Sequence, residues 1–212
     1  MQIESINAGQ VETISHRNKP MTTGICKRPL DGPVHVSRNG IPGDAIVATR
    51  HHGGPDQALY AYSADDYDWW AANSAHRFFP GLFGENLTIR DMPSDMRVGD
   101  RLLIRDVVLE ATAPRIPCDT FATRMQDPGF GLAFREAEKP GIYLRVLNEG
   151  RIQAGDTVTY VESAETDVGI VELFRAYYAL SPDPAALRRL LEAPIAERMR
   201  DKFEKKLAKT TA

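Results

Sequence analysis

Residues 101–121, "RLLIRDVVLEATAPRIPCDTF", decide how the rest of the chain is read. Apolar residues on both sides of Arg105–Asp106 predict a β-hairpin, because a period of two lines one face of a sheet. Its second arm runs into Pro114 and Pro117, which stiffen the approach to Cys118. Asp119 is placed to cap a short helix over "TFATRMQ". Cys118 then stands just before a helix N-terminus, where the macrodipole favours a thiolate; Arg115 adds to that effect and Asp119 opposes it. A lone cysteine is either a small core hydrophobe or a reactive thiol, and these residues leave both readings open.

Outward from this hairpin, short apolar stretches are punctuated by Gly, Pro and Asp. "VHVSR" (34–38) and "AIVAT" (45–49) flank the turn-rich "NGIPGD". "QALYAY" (57–62), "GIYLRVL" (141–147) and "TVTYVE" (157–162) read as further strands, the last two joined by "NEGRIQAGD". The pattern predicts an antiparallel sheet or barrel over residues 1–163. "RVGDRLLI" and "QAGDTVTYV" each place Gly-Asp before a strand, which reads as a turn. Ser63 and Asp66 form a capping-box pattern opening a helix over "ADDYDWWAANSA".

Beyond residue 164 the texture changes. Ile170, Leu173, Phe174 and Tyr177 recur at helical spacing, Asp183–Pro184 forms a helix start, and Ile195, Met199, Phe203 and Leu207 repeat every four residues. Three amphipathic helices over 164–212 form a small helical domain whose stripes read as core or docking surface, with a frayed tail at "KKLAKTTA".

The chain of 212 residues is 42% hydrophobic and 26% charged with a net charge of −3. It is a soluble globular composition with no basic run, so stable nucleic-acid binding is not expected. No apolar run approaches the roughly 18 residues of a membrane helix, the first residues lack a signal-peptide pattern, and two cysteines form no disulfide framework. The expectation is a cytoplasmic protein without a membrane partner. Walker-A, H-E-x-x-H, G-x-S-x-G and C-x-x-C patterns are absent, and "GFG" at 129–131 lacks the third glycine of a dinucleotide site.

Four stretches offer chemistry. His51 and His52 in "RHHGGPDQALYAY" (50–62) are adjacent, so on a strand they face apart and suit joint metal ligation poorly. Gly53–Gly54 lets backbone approach a ligand, and its free amides suit an anion. Asn86 in "GLFGENLTI" (81–89) either reads a heterocycle's polar edge or ties down its own turn. Lys27 and Arg28 in "TGICKRPLDGPV" (23–34) are phosphate-binding cations or a solvated pair, and Cys26 is a buried apolar thiol. One thiolate at Cys118 cannot hold a bare ion, so a metal there has to arrive chelated by an organic cofactor.

These stretches, with "GIPGD", "FGENL", "VGDRLLI", "PRIPC", "GIYLRVL" and "AGDTVTYV", resemble in order the MOSC domain, in its YiiM-like branch with a C-terminal 3-alpha domain. The match spans roughly residues 22–162, with the helical tail as the appended domain. The chain departs from the family pattern at Leu30, often Val, and at Asp119, commonly aromatic, where an acid bears on the pocket and on the thiol's pKa. The resemblance implies a mainly β fold, a MOSC-type β-barrel with short interspersed helices over 1–163 and a three-helix domain over 164–212. It implies binding of molybdenum cofactor (molybdopterin), with Cys118 as catalytic metal ligand. Lys27, Arg115 and Arg145 are its candidates for the phosphate and the cofactor's negative charge. Asn86, Gly53 and Gly54 are candidates for the pterin edge, and His52 for orienting the cofactor or moving protons. The implied activity is an oxidoreductase of the N-hydroxylamine reductase type, acting on N-hydroxylated compounds such as 6-N-hydroxylaminopurine, a detoxification. No flavin, haem or iron–sulfur motif occurs, so electrons are expected from a separate flavin or iron–sulfur reductase. The helices either help dock that reductase or form a homodimer. The family-level association with pyridoxal phosphate is carried over to no residue of this chain. The alternatives are a sulfur carrier, a non-catalytic cofactor carrier, and a structural barrel with an inert thiol.

Overall fold

The computed structural model describes residues 1–49 and 52–210; His51, paired with His52 in the sequence reading, lies outside them. The strands are β1 (Gln2–Gly9), β2 (Glu12–His16), β3 (Lys19–Thr23), β4 (Lys27–Pro29), β5 (Val34–Val36), β6 (Leu59–Ser63), β7 (Leu87–Arg90), β8 (Arg101–Ile104), β9 (Val107–Pro114), β10 (Ile142–Asn148), β11 (Gly150–Ile152) and β12 (Thr159–Val161). The helices are α1 (Ala64–Asn73), α2 (Asp119–Met125), α3 (Phe130–Ala137), α4 (Ile170–Tyr178), α5 (Pro184–Glu192) and α6 (Glu197–Thr210).

Eight strands form one sheet in the order β12-β8-β9-β10-β6-β7-β1-β4. The β8–β9 hairpin turns at Arg105 (φ +51°) and Asp106, with Ile104 opposite Val107. Among the described residues only β6 and β7 pair in parallel within the sheet, joined across α1, as a parallel pair requires a crossover. Ribbons β5–β11 and β2–β3 stand outside the sheet. The strand ladder by itself does not close the β-barrel that the resemblance implies. The start of β1, next to the edge strand β4, meets the segment before β12 through the bridge of Gln2 with Thr157 and backbone bonds such as Val158 N to Met1 O at 3.0 Å. As a strand ladder the sheet has β12 and β4 at its edges.

Local signals account for most elements. The Ser63 hydroxyl accepts the Asp66 amide and opens α1; Asp183 accepts the amides of Ala185 and Ala186 and opens α5. Cys118 itself, rather than Asp119, occupies the cap position of α2. The Gly-Asp turns are structural twins: Asp100 accepts the amide of Arg97 and Asp156 that of Gln153, each three residues back. "AIVAT" forms no strand. It is held instead against Gly24, where a Cβ would lie 1.9 Å from Ala45 O, so no side chain fits. "NEGRIQAGD" holds a strand, β11, rather than turn alone, and the tail expected to fray is helical to Thr210.

Two cores result. An apolar core joins Ile3, Leu102 and Leu109 of the sheet with Leu173, Leu187 and Phe203 of the C-terminal helices. An aromatic core of Tyr62, Tyr67, Trp70, Phe83, Phe121 and Phe134 fills the space around α1, α2 and α3, and Cys118 packs against its edge. Trp70 and Phe134 stack with planes 6° apart. Among the described residues no helix is long and apolar enough to cross a membrane.

Candidate active site

Two cavities share a wall beside Cys118. The inner one, about 110 Å³, is lined by Lys27, Asp44, Gly53, Asn86 and Arg115 among others. The outer one, about 300 Å³, lies against the C-terminal helices and is lined by Pro117, Tyr177, Arg198, Met199 and Lys202. His52, Gln57, Cys118 and Tyr143 border both.

The half-buried Cys118 Sγ lies 3.9 Å from His52 Nε2, and His52 Nδ1 lies 3.5 Å from the Tyr143 hydroxyl. Burial penalises the thiolate, but the His52 contact, the Arg115 charge and the Phe121 amide outweigh it and lower the thiol to about 6 from an ordinary 9.0. The acid at 119, which the sequence set against the thiolate, does not prevent this. Arg115 is 4% exposed, packs its guanidinium 4.2 Å from the Phe121 ring centroid, and donates through Nη1 to Phe83 O. Its Nε–H is buried without a partner, a donor whose desolvation is uncompensated within the chain.

The other expected residues divide. Lys27 lines the inner cavity but is buried and ion-paired with Asp44. Burial lowers its pKa, and Asp44 partly restores it. Asn86 also lines the cavity, yet its amide is committed: Oδ1 accepts from Tyr60 N at 3.2 Å, and Nδ2 donates to Asn7 O at 3.2 Å and Asp44 Oδ2 at 2.9 Å. It ties strands together, as does its neighbour Glu85, whose fully buried carboxylate accepts from Gly81 N, Tyr67 Oη and Thr88 Oγ1. Burial raises the Glu85 pKa. Gly53 lines the inner cavity at φ +74°, where an added Cβ would lie 3.0 Å from Ile46 Cδ1; Gly54 is exposed and outside it. Arg145 is a correction. It borders neither cavity, because its guanidinium is spent on Asp56 at 2.9 Å, Glu110 at 3.2 Å and Pro194 O at 3.2 Å.

Three residues escaped the sequence reading. Asp44 lay within the noted "GIPGD" and Tyr143 within "GIYLRVL", but neither had a signal of its own. Arg198 looks like any arginine on an amphipathic helix, yet it borders the outer cavity.

The residues 48–159 match the model of the MOSC domain, and residues 170–210 that of the YiiM-like, 3-alpha helix domain. The chain belongs to the MOSC domain family, in its YiiM-like branch. It is 30% identical to the uncharacterized protein YflK of Bacillus subtilis, over 95% of this chain and 92% of that one. It is also 30% identical to a protein of Gibberella moniliformis named "Reductase", over 88% of this chain and 34% of the longer relative. The crystal structure of YiiM from Geobacillus stearothermophilus superposes with a TM-score of 0.81 at 30% identity, covering 97% of this chain and 98% of that one.

MOSC domains in general are associated with molybdenum cofactor. The donor set here fits such a group. Among the described residues no three His, Cys, Asp or Glu side chains converge as a metal site. A soft thiolate beside a cavity and an unpartnered Arg115 donor instead suit a metal already carried by an anionic organic ligand.

Proposed function

We propose that this protein is a molybdenum-cofactor-dependent oxidoreductase that reduces N-hydroxylated compounds, with Cys118 as the molybdenum ligand and electrons from a separate reductase. The observation behind this reading is the lowered thiol of Cys118 on the wall between two cavities. When bound, the cofactor supplies a metal that changes oxidation state and accepts the oxygen of the substrate. The chain supplies the setting. Cys118 offers a deprotonated sulfur. Arg115 places a buried positive charge in the wall of the inner cavity. His52 reaches both cavities, where its Nε2 can hold or release a proton beside Sγ. Lys27, neutralised by Asp44, is a polar wall rather than a spare cation for phosphate.

The test is elemental analysis joined to turnover. Protein purified from a cofactor-competent host is expected to hold molybdenum. The Cys118→Ala variant is expected to lose reduction of a hydroxylamino purine with an artificial electron donor. If that variant turns over like wild type with the same donor, the ligand assignment is wrong. The lowered, half-buried thiol also suits a persulfide carrier; sulfane sulfur on Cys118 in molybdenum-free protein would favour that second reading.

A further inference from the structure

The backbone at His52 is held locally by one bond, His52 N to Ala48 O at 3.0 Å. His52 is followed by Gly53 at φ +74° and Gly54 at φ +88°, a pair that leaves backbone freedom for folding to remove. The imidazole contacts are loose, 3.9 Å to Cys118 Sγ and 3.5 Å to Tyr143 Oη. Most of the backbone's further restraint comes from the far end of the chain. Arg198, in the first turn of α6, donates through Nη1 to Gly53 O at 2.5 Å and Gln57 Oε1 at 2.8 Å. Its Nη2 donates to Thr49 O at 2.9 Å and reaches His52 O at 3.5 Å. The contact is returned: Asp56 Oδ2 accepts the amide of Glu197, the first residue of α6, at 2.9 Å, a carboxylate at the end of a helix that favours it. Asp56 is itself held by Arg145 through Oδ1 and by the Thr112 hydroxyl through its carbonyl.

We propose that Arg198 is a positioning residue: its guanidinium, gripping the backbone around His52 while Asp56 anchors α6, sets the imidazole against Cys118 and makes the C-terminal helix part of the active-site wall. A planar fork reaches the Gly53 and Thr49 carbonyls from two separate nitrogens in a fixed geometry, whereas a lysine ammonium offers its donors from a single point. The inference rests on loop geometry and holds whichever group the site binds.

The experiment is histidine-selective NMR at one fixed pH on the protein as purified. The chain has five histidines, and His52→Asn identifies the His52 signal. In Arg198→Ala the His52 Cε1–H signal is expected to shift or broaden, while those of His16, His35 and His76 stay in place. Amide exchange at His52 N, which donates to Ala48 O at 3.0 Å, is expected to quicken. Arg198→Lys should fall between wild type and Arg198→Ala. Phe203→Ala, which weakens the core away from the loop, should leave the His52 signal unmoved. An unchanged His52 signal in folded Arg198→Ala overturns the proposal. If that variant does not fold, an unchanged signal in Arg198→Lys overturns it. Neither result bears on molybdenum content, so this inference and the proposed function fail separately.

Discussion

Cys118 is a thiol whose surroundings, not its own chemistry, decide its charge. Burial alone would keep it protonated; His52, Arg115 and the Phe121 amide reverse the sign and bring it to about 6. Alkylation by iodoacetamide in cofactor-free protein is therefore expected to reach half its maximal rate near pH 6, and His52→Asn is expected to move that half-point upward. A half-point near the ordinary 9.0 in wild type would contradict the account. The same shift has a stability consequence. The folded pKa lies below the unfolded one, so the stabilisation is full above about pH 9 and is lost as pH falls toward 6. The thermal midpoint of wild type relative to Cys118→Ala should rise over that window. The position of Cys118 beside a helix start was readable from Pro114, Pro117 and the residues after them. Its side-chain hydrogen-bond partner, His52, was not, because the two are 66 residues apart in sequence.

The inner cavity depends on how elements meet. Lys27 on β4 and Asp44 on the loop after β5 are buried together, and Asp44 also accepts from Gly9 N and Asn86 Nδ2. Removing one charge strands the other. Asp44→Asn is expected to cost about 3–5 kcal/mol in urea unfolding, whereas Lys27→Met with Asp44→Leu should recover most of that loss. A neutral Asp44→Asn would show that the pair is not buried as described. The segment "AIVAT" teaches the companion lesson. Its apolar residues carry strand propensity, but a strand exists only where a neighbour offers a ladder, and packing against Gly24 makes this segment a cavity wall instead.

Across the whole molecule, the helices after residue 164 share a core with the sheet, since Phe203 and Leu173 are fully buried in the same apolar cluster as Leu102 and Leu109. Phe203→Ala is expected to cost about 3–5 kcal/mol, and wild-type unfolding should be one cooperative transition by both far-UV and near-UV dichroism. Two separated midpoints would show that sheet and helices fold as independent domains. The sequence by itself determined the β8–β9 hairpin, the capped starts of α1 and α5, the three terminal helices and the helix start beside which Cys118 sits. Those features depend on residues two to four positions apart, where periodicity and side-chain caps act directly. Only the tertiary structure decided the order of strands in the sheet, that Arg145 is spent on Asp56 and Glu110, and that Arg198 holds a loop 145 residues away in sequence. Such pairings leave no local trace, because hydrogen bonds and burial depend on distance in space, and packing alone sets which distant segments come close.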